Sequence, residues 1–127
     1  LRKKSYVIFY TKKTFLLLKK SKNGLWELPG GKKNKNETYA NAAFREAFEE
    51  TGYLSQIKND SNTKYYFKEA QTILFFVEVD NEFSCILSSE HQDFAWVSFA
   101  EYPRLLLNPK CKKFIESIKD KICKNCL

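Results

Sequence analysis

No apolar run in this chain approaches the roughly 18 residues that a membrane-spanning helix needs, so no membrane span is expected within it. Residues 2–13 are not expected to form a signal segment: residues 6–10 are too short for its apolar region, and Lys12 and Lys13 follow directly. Methionine is absent and there are only four glycines and three prolines, a bias from which no function follows. One histidine, His91, is by itself weak evidence of catalysis. The cysteines are Cys85, Cys111, Cys123 and Cys126. Cys123-Lys-Asn-Cys126 has the spacing of a metal-ligand pair, but no second pair exists to complete a structural zinc site. Cys126 stands next to Leu127, whereas a prenylation box needs three residues after its cysteine. Free thiols fit a reducing, cytoplasmic setting. Acid is scarce in residues 1–36, where Glu27 stands alone among eleven Lys and Arg. The net charge of +7 therefore comes entirely from this third, which reads either as a solvated lysine surface or as an attractor of polyphosphate or nucleic acid. The interleaving of arginine and aromatic residues that marks base readout is missing.

What is present is a chain of 127 residues, 43% hydrophobic and with eleven Phe, enough for one folded domain over residues 1–127 without linker or repeat. Residues 5–10 and 14–18 read as strands joined in a hairpin, and 25–28 as a short extended segment. A polar loop over 32–36 leads to a helix over 39–51, with Thr38 as N-cap and Gly52 as its stop. A turn is expected at 59–62 and a strand at 64–68. Residues 71–79 are almost continuously apolar and read as a central strand. Residues 83–87 read as extended, 88–92 as a loop, 94–97 as the last strand, and 100–106 as a short helix or turn. Pro109 suits the first turn of a C-terminal helix whose stripe is Phe114, Ile115, Ile118 and Ile122. Strands with two separated helices predict an α/β fold, a mixed β-sheet between helices in an α/β/α sandwich.

The stretch around which this order is organised is 30–53, GGKKNKNETYANAAFREAFEETGY. On the expected helix, Ala40, Ala43, Phe44 and Ala47 form an apolar stripe, and Glu46, Glu49 and Glu50 lie together on the opposite flank. Three carboxylates so close are either a solvated acidic face, at a cost of a few tenths of a kcal/mol per pair, roughly, or a set of hard oxygen ligands for magnesium. The preceding Leu28-Pro29-Gly30-Gly31 is a loop able to bring backbone close to a ligand.

Residues 31–53 resemble the Nudix signature: a glycine, a glutamate after five residues, and after seven more Arg-Glu, an aliphatic residue, any residue, Glu-Glu, any residue, Gly and a hydrophobe. Gly31, Glu37, Arg45, Glu46, Glu49, Glu50, Gly52 and Tyr53 fall on it, and Ala47 stands where a larger aliphatic residue is usual. The resemblance implies a Nudix-type sandwich and a Mg2+-dependent (or Mn2+-dependent) phosphoanhydride hydrolase. It implies metal ligation by Glu49, Glu50, Glu46 and the carbonyl of Gly31, with Glu46 also able to act as base. It gives Arg45 and Glu37 a supporting role, the alternative for Arg45 being a phosphate contact. Relatives add a glutamate from a loop before the last strand; Glu90 is the candidate for this catalytic role and Glu82 its alternative. The stretch 87–96 is also similar to asymmetric diadenosine tetraphosphate hydrolases, which brings His91 forward as a substrate-binding residue.

Lys32 and Lys64 are candidate phosphate contacts. Tyr6, Trp26, Tyr65, Tyr66 and Phe75 are candidate platforms for a base, with core packing as the competing role. The leading expectation is a nucleotide substrate, diadenosine tetraphosphate, cleaved to ATP and AMP. The Gly30-Gly31 form instead matches MutT-like nucleoside triphosphate pyrophosphatases. Action on RNA 5′ ends is a third reading, and a silent nucleotide-binding module a remote fourth. Nothing decides between monomer and homodimer, and no membrane partner is expected.

Overall fold

The computed structural model describes residues 2–55 and 64–123. The turn expected at 59–62, Ile57 and Cys126 lie outside the described residues, as does the side chain of Ile122. The strands are β1 (Lys4–Tyr10), β2 (Phe15–Lys20), β3 (Trp26–Glu27), β4 (Gly30–Lys32), β5 (Lys64–Phe67), β6 (Thr72–Glu78) and β7 (His91–Val97). The helices are α1 (Tyr39–Thr51) and α2 (Pro109–Cys123), and short 3-10 turns occupy Lys68–Ala70 and Tyr102–Arg104. Among the described residues, no helix is long and apolar enough to cross a membrane.

The sheet runs β3-β2-β1-β6-β5, with β4 also paired to β1 and β7 to β2. It is mixed: β1 and β6 are parallel, and the other pairings are antiparallel. Alternation along β1 divides the core. Val7 and Phe9 face α1 together with Leu16, Leu18, Ala43, Ala47 and Phe75. Ile8 faces the other way, with Leu17, Leu74, Phe114, Ile115 and Ile118, under α2. A helix on each face of one mixed sheet is the α/β/α sandwich of the expected fold class.

Local chemistry accounts for the ends of α1. Thr38 accepts a hydrogen bond from the Asn41 N–H at 3.0 Å. Gly52 closes the helix at φ 74°, donating to the Phe48 carbonyl at 2.8 Å. Asn108 caps α2, its Oδ1 accepting from the N–H groups of Lys110 and Cys111, and Pro109 takes the first helical position.

The expected central strand is β6, which lies between β1 and β5. Three expectations change. Residues 30–32 form a strand and not a loop, because the chain returns antiparallel along β1, Ser5 opposite Gly31. Residues 83–87 pair with no strand; they cross the end of α1, with the Ile86 N–H on the Thr51 carbonyl and the Phe83 carbonyl held by the Trp96 indole. The last strand begins at His91, so His91 and Gln92 belong to β7 and not to the loop before it.

Candidate active site

The site is built where α1 lies over β4. Three small residues, Ala42, Ala43 and Ala47, face inward and let the helix approach the sheet. Two glycines meet it. A Cβ at Gly30 (φ 150°) would overlap the Ser5 carbonyl and stand 2.6 Å from the Tyr6 Cα. A Cβ at Gly31 would stand 2.8 Å from the Glu46 carboxyl carbon. The glycine pair therefore lets one strand lie against β1 on one edge and against glutamates on the other.

Glu50 is the residue whose placement differs most from the helical pattern. It is 2% exposed and not on a solvated flank. Its Oε1 accepts from the Gly30 N–H at 3.1 Å, and its Oε2 has no partner. Burial pushes its carboxyl up to about 10, and the charges of Glu90 and Glu46 push in the same direction. Glu46 is mostly covered and Glu49 half exposed. All three stand in the C-terminal half of α1, whose first turn carries no acid. Glu49 and Glu50, in its last turn, face the negative end of the helix dipole. One acid buried with an orphan oxygen, with two more on the same stretch of helix, offers oxygen donors of the kind a hard divalent cation takes.

Arg45 occupies the neighbouring position and is saturated. Its Nε and Nη2 clasp Glu37 at 3.0 and 2.7 Å, and Nη1 reaches Glu46 at 3.0 Å and Glu49 at 3.3 Å. Nη2 also donates to the Lys32 carbonyl at 3.2 Å. These bonds engage all five guanidinium donors, leaving none for a phosphate. Glu37 in turn accepts from the Asn34 N–H at 2.8 Å, and the Arg45 bond holds its carboxyl down at about 2.

The two candidates for the additional glutamate separate cleanly. Glu82 accepts from the Thr14 hydroxyl beside the β1–β2 hairpin, at the far end of β1. Glu90 sits on the turn before β7, tied to the residue after β2 by the Ser21 N–H on its carbonyl, and its charge acts on Glu50. His91 is buried, with Nε2 2.8 Å from Glu27 Oε2. Glu27 was not singled out as a site residue; its signal was its isolation, a lone acid in a basic third.

Of the expected substrate contacts, Lys32 is exposed on β4 opposite Lys4. Lys64, Tyr65 and Tyr66 lie on edge strand β5 and are not gathered with the carboxylates. Tyr66 is half exposed; Tyr65 packs toward the core, 4.8 Å from Phe67 between ring centres. Phe75 is buried under α1. Tyr6 does line a cavity, of about 360 Å³, with Phe114, Thr72, Lys4, Lys110 and Arg2. Burial and the charges of Lys110 and Lys32 lower the Lys4 pKa. Tyr6 pairs with Gly30 across β1–β4, so this basic, aromatic-walled cavity lies next to the glycine strand.

This geometry agrees with what the chain is similar to. The pattern of the NUDIX domain matches residues 2–118. A candidate 8-oxo-dGTP diphosphatase from Bacillus subtilis (strain 168) is 30% identical over 116 residues, covering 90% of this chain and 76% of that protein. The structure of an Ap4A hydrolase from C. elegans superposes with a TM-score of 0.76 at 21% identity, over 96% of this chain and 99% of that one. A MutT protein from Methanosarcina mazei Go1 superposes at 0.72 and 28% identity, over 94% of each chain. With its signature residues converging where β4 meets α1, the chain belongs to the Nudix family of metal-dependent phosphoanhydride hydrolases.

Proposed function

We propose that the protein hydrolyses a nucleoside polyphosphate, releasing a nucleoside monophosphate and a phosphate-bearing leaving group. The observation that carries this reading is Glu50: a buried carboxyl with an unpaired oxygen, beside Glu46 and within the influence of Glu90. Such a group is stabilised by a divalent cation, and Mg2+ or Mn2+ held by Glu46, Glu49, Glu50 and the Gly31 carbonyl suits the oxygen donors present. When bound, the ion supplies charge neutralisation for the phosphates. Glu46 or Glu90 takes the proton of the attacking water. Arg45, fully committed to carboxylates, fixes them and does not meet substrate. Lys4, Lys110 and Lys32 compensate phosphate charge, and Tyr6 with Phe114 offers a wall against which a base can stack.

A cavity with one aromatic wall suits a substrate with one nucleoside. A MutT-like nucleoside triphosphate pyrophosphatase, acting on oxidised or normal nucleotides, is therefore the first reading, and the B. subtilis relative supports it. Asymmetric cleavage of diadenosine tetraphosphate is the second, supported by the stretch 87–96 and by the overlap with the C. elegans enzyme.

The test is a hydrolysis panel with Mg2+ or Mn2+ and product identification, beside a Glu49→Gln control. Substrates are 8-oxo-dGTP, dGTP, diadenosine tetraphosphate, ADP-ribose and 5′-triphosphorylated RNA. Monophosphate and pyrophosphate from dGTP or its oxidised form support the first reading; ATP and AMP from diadenosine tetraphosphate alone support the second. Pyrophosphate from RNA alone moves the substrate to a 5′ end. No turnover by a folded, metal-loaded protein overturns the proposal and leaves a binding module.

A further inference from the structure

Strand β1 carries a buried polar side chain that the packing of the sheet does not use. Ser5 is fully buried, and its Oγ has no hydrogen-bond partner. The buried threonines differ: Thr51 and Thr72 donate to the carbonyls of Ala47 and Ala70. A buried group left unbonded is costly, so a serine that returns nothing is disfavoured against alanine at such a position. Ser5 pairs with Gly31, and the Glu50 carboxyl, whose Oε2 is also bare, bonds to Gly30. Two unpartnered buried atoms therefore border the same glycine strand.

The register locates the hydroxyl. Ser5 and Gly31 stand directly opposite each other across β1 and β4. Partners in such a pair project to one face, their Cβ positions about 4.5–5.5 Å apart. On β1 that is the face of Val7 and Phe9, under α1. Glu46 occupies the space that a Gly31 side chain would take: Oε2 lies 2.9 Å from the Cβ position and Oε1 3.2 Å. Ser5 thus looks past the missing side chain toward the Glu46 carboxyl. Arg45 Nη1 bonds Oε1 at 3.0 Å, which by itself lets the carboxyl plane turn about that oxygen. A second donor, on Oε2, stops the turning. A serine hydroxyl moves among three staggered positions by rotation about Cα–Cβ, with no change of backbone.

We propose that Ser5 is a positioning residue for Glu46, its hydroxyl donating to Oε2 while Arg45 holds Oε1. This role rests on the reading above in which Glu46 takes the proton of the attacking water. A carboxylate gripped at both oxygens keeps its plane fixed as the water approaches.

The experiment compares Ser5→Ala with the parent in two readouts. The first is the side-chain carboxyl 13C signal of Glu46 in metal-free protein, assigned by its loss in Glu46→Gln. The second is steady-state kinetics with Mg2+. The expected result is a displaced carboxyl signal, with kcat lower by about fivefold and KM within about twofold of the parent. In the Glu46→Gln background, Ser5→Ala changes kcat by less than about 1.5-fold, because the positioned group is gone. Thermal melting checks folding; Ser5→Cys, of nearly the same size but a weak donor, repeats the test with the same expected direction. A carboxyl signal that ignores both folded variants overturns the proposal. So does a raised melting temperature with kcat unchanged, the outcome for a hydroxyl that serves nothing. An equal kcat loss in the Glu46→Gln background overturns it too, since the hydroxyl then acts elsewhere. If Glu46→Gln turns over like the parent, the base reading of Glu46 fails separately, and the carboxyl signal alone decides whether Ser5 holds that group.

Discussion

Two carboxylates of one motif, Glu37 before α1 and Glu50 near its end, have opposite fates. Glu37 is doubly bonded to Arg45, accepts a backbone N–H, and is held at about 2. Glu50 is buried with one backbone N–H and one bare oxygen, and is pushed up to about 10. The first region is electrostatically complete, and its groups hold the loop before α1 in place. The second is incomplete, and incompleteness in a buried polar group marks where a ligand belongs. Both glutamates belong to the same signature, and only their partners set them apart.

The largest effect should come from filling the incomplete side with a neutral group. Glu50→Gln keeps the shape and removes the charge that a cation needs; turnover with Mg2+ should fall about a thousandfold, checked by steady-state kinetics together with Mg2+ affinity. On the complete side, Arg45→Lys keeps a charge but loses the fork that grips Glu37. Urea unfolding should show a lower midpoint, since several carboxylate partners are released at once. Gly31→Ala tests the contact between the two regions. Its Cβ meets the Glu46 carboxyl, so on the proposed role of Glu46 kcat should fall about tenfold, while circular dichroism stays that of the parent.

The two carboxyls also oppose each other in pH dependence. Glu50 in the metal-free fold holds its proton up to about 10, against about 4.3 when unfolded. Between those values the native state binds the extra proton, so stability falls as pH rises. The melting temperature of metal-free protein should drop from pH 5 to pH 9, and Glu50→Gln should flatten that slope. Glu37 has the reverse sign: its contribution is present above the ordinary carboxylate range and is lost as pH falls toward 2. The smallest effect belongs to Glu82→Gln, expected to leave turnover within twofold, because that side chain serves the hairpin at Thr14.

The sequence announced what is local. Thr38 and Gly52 mark the ends of α1 through bonds to residues three or four away, and Pro109 marks the start of α2 by the same logic. It was silent where partners are distant. Residues 30–32 carry no strand signal of their own and become β4 only because β1 lies alongside. Helical periodicity puts Glu50 on the polar flank, and β4 then buries it. Glu27 and His91 stand 64 residues apart, and no local pattern pairs them.

The segment that crosses the end of α1 has a mechanical consequence. Phe83 stacks on Tyr53 at 3.9 Å between ring centres, Ile86 bonds to Thr51, and the same stretch of chain runs on to Glu90. The helix acids and the turn acid are thus fastened to one strap. The strap is held at both ends, at α1 by Thr51 and Tyr53 and at Glu90 by the Ser21 N–H, so the distance between helix acids and turn acid is fixed by a taut span of chain that Phe83→Ala would slacken.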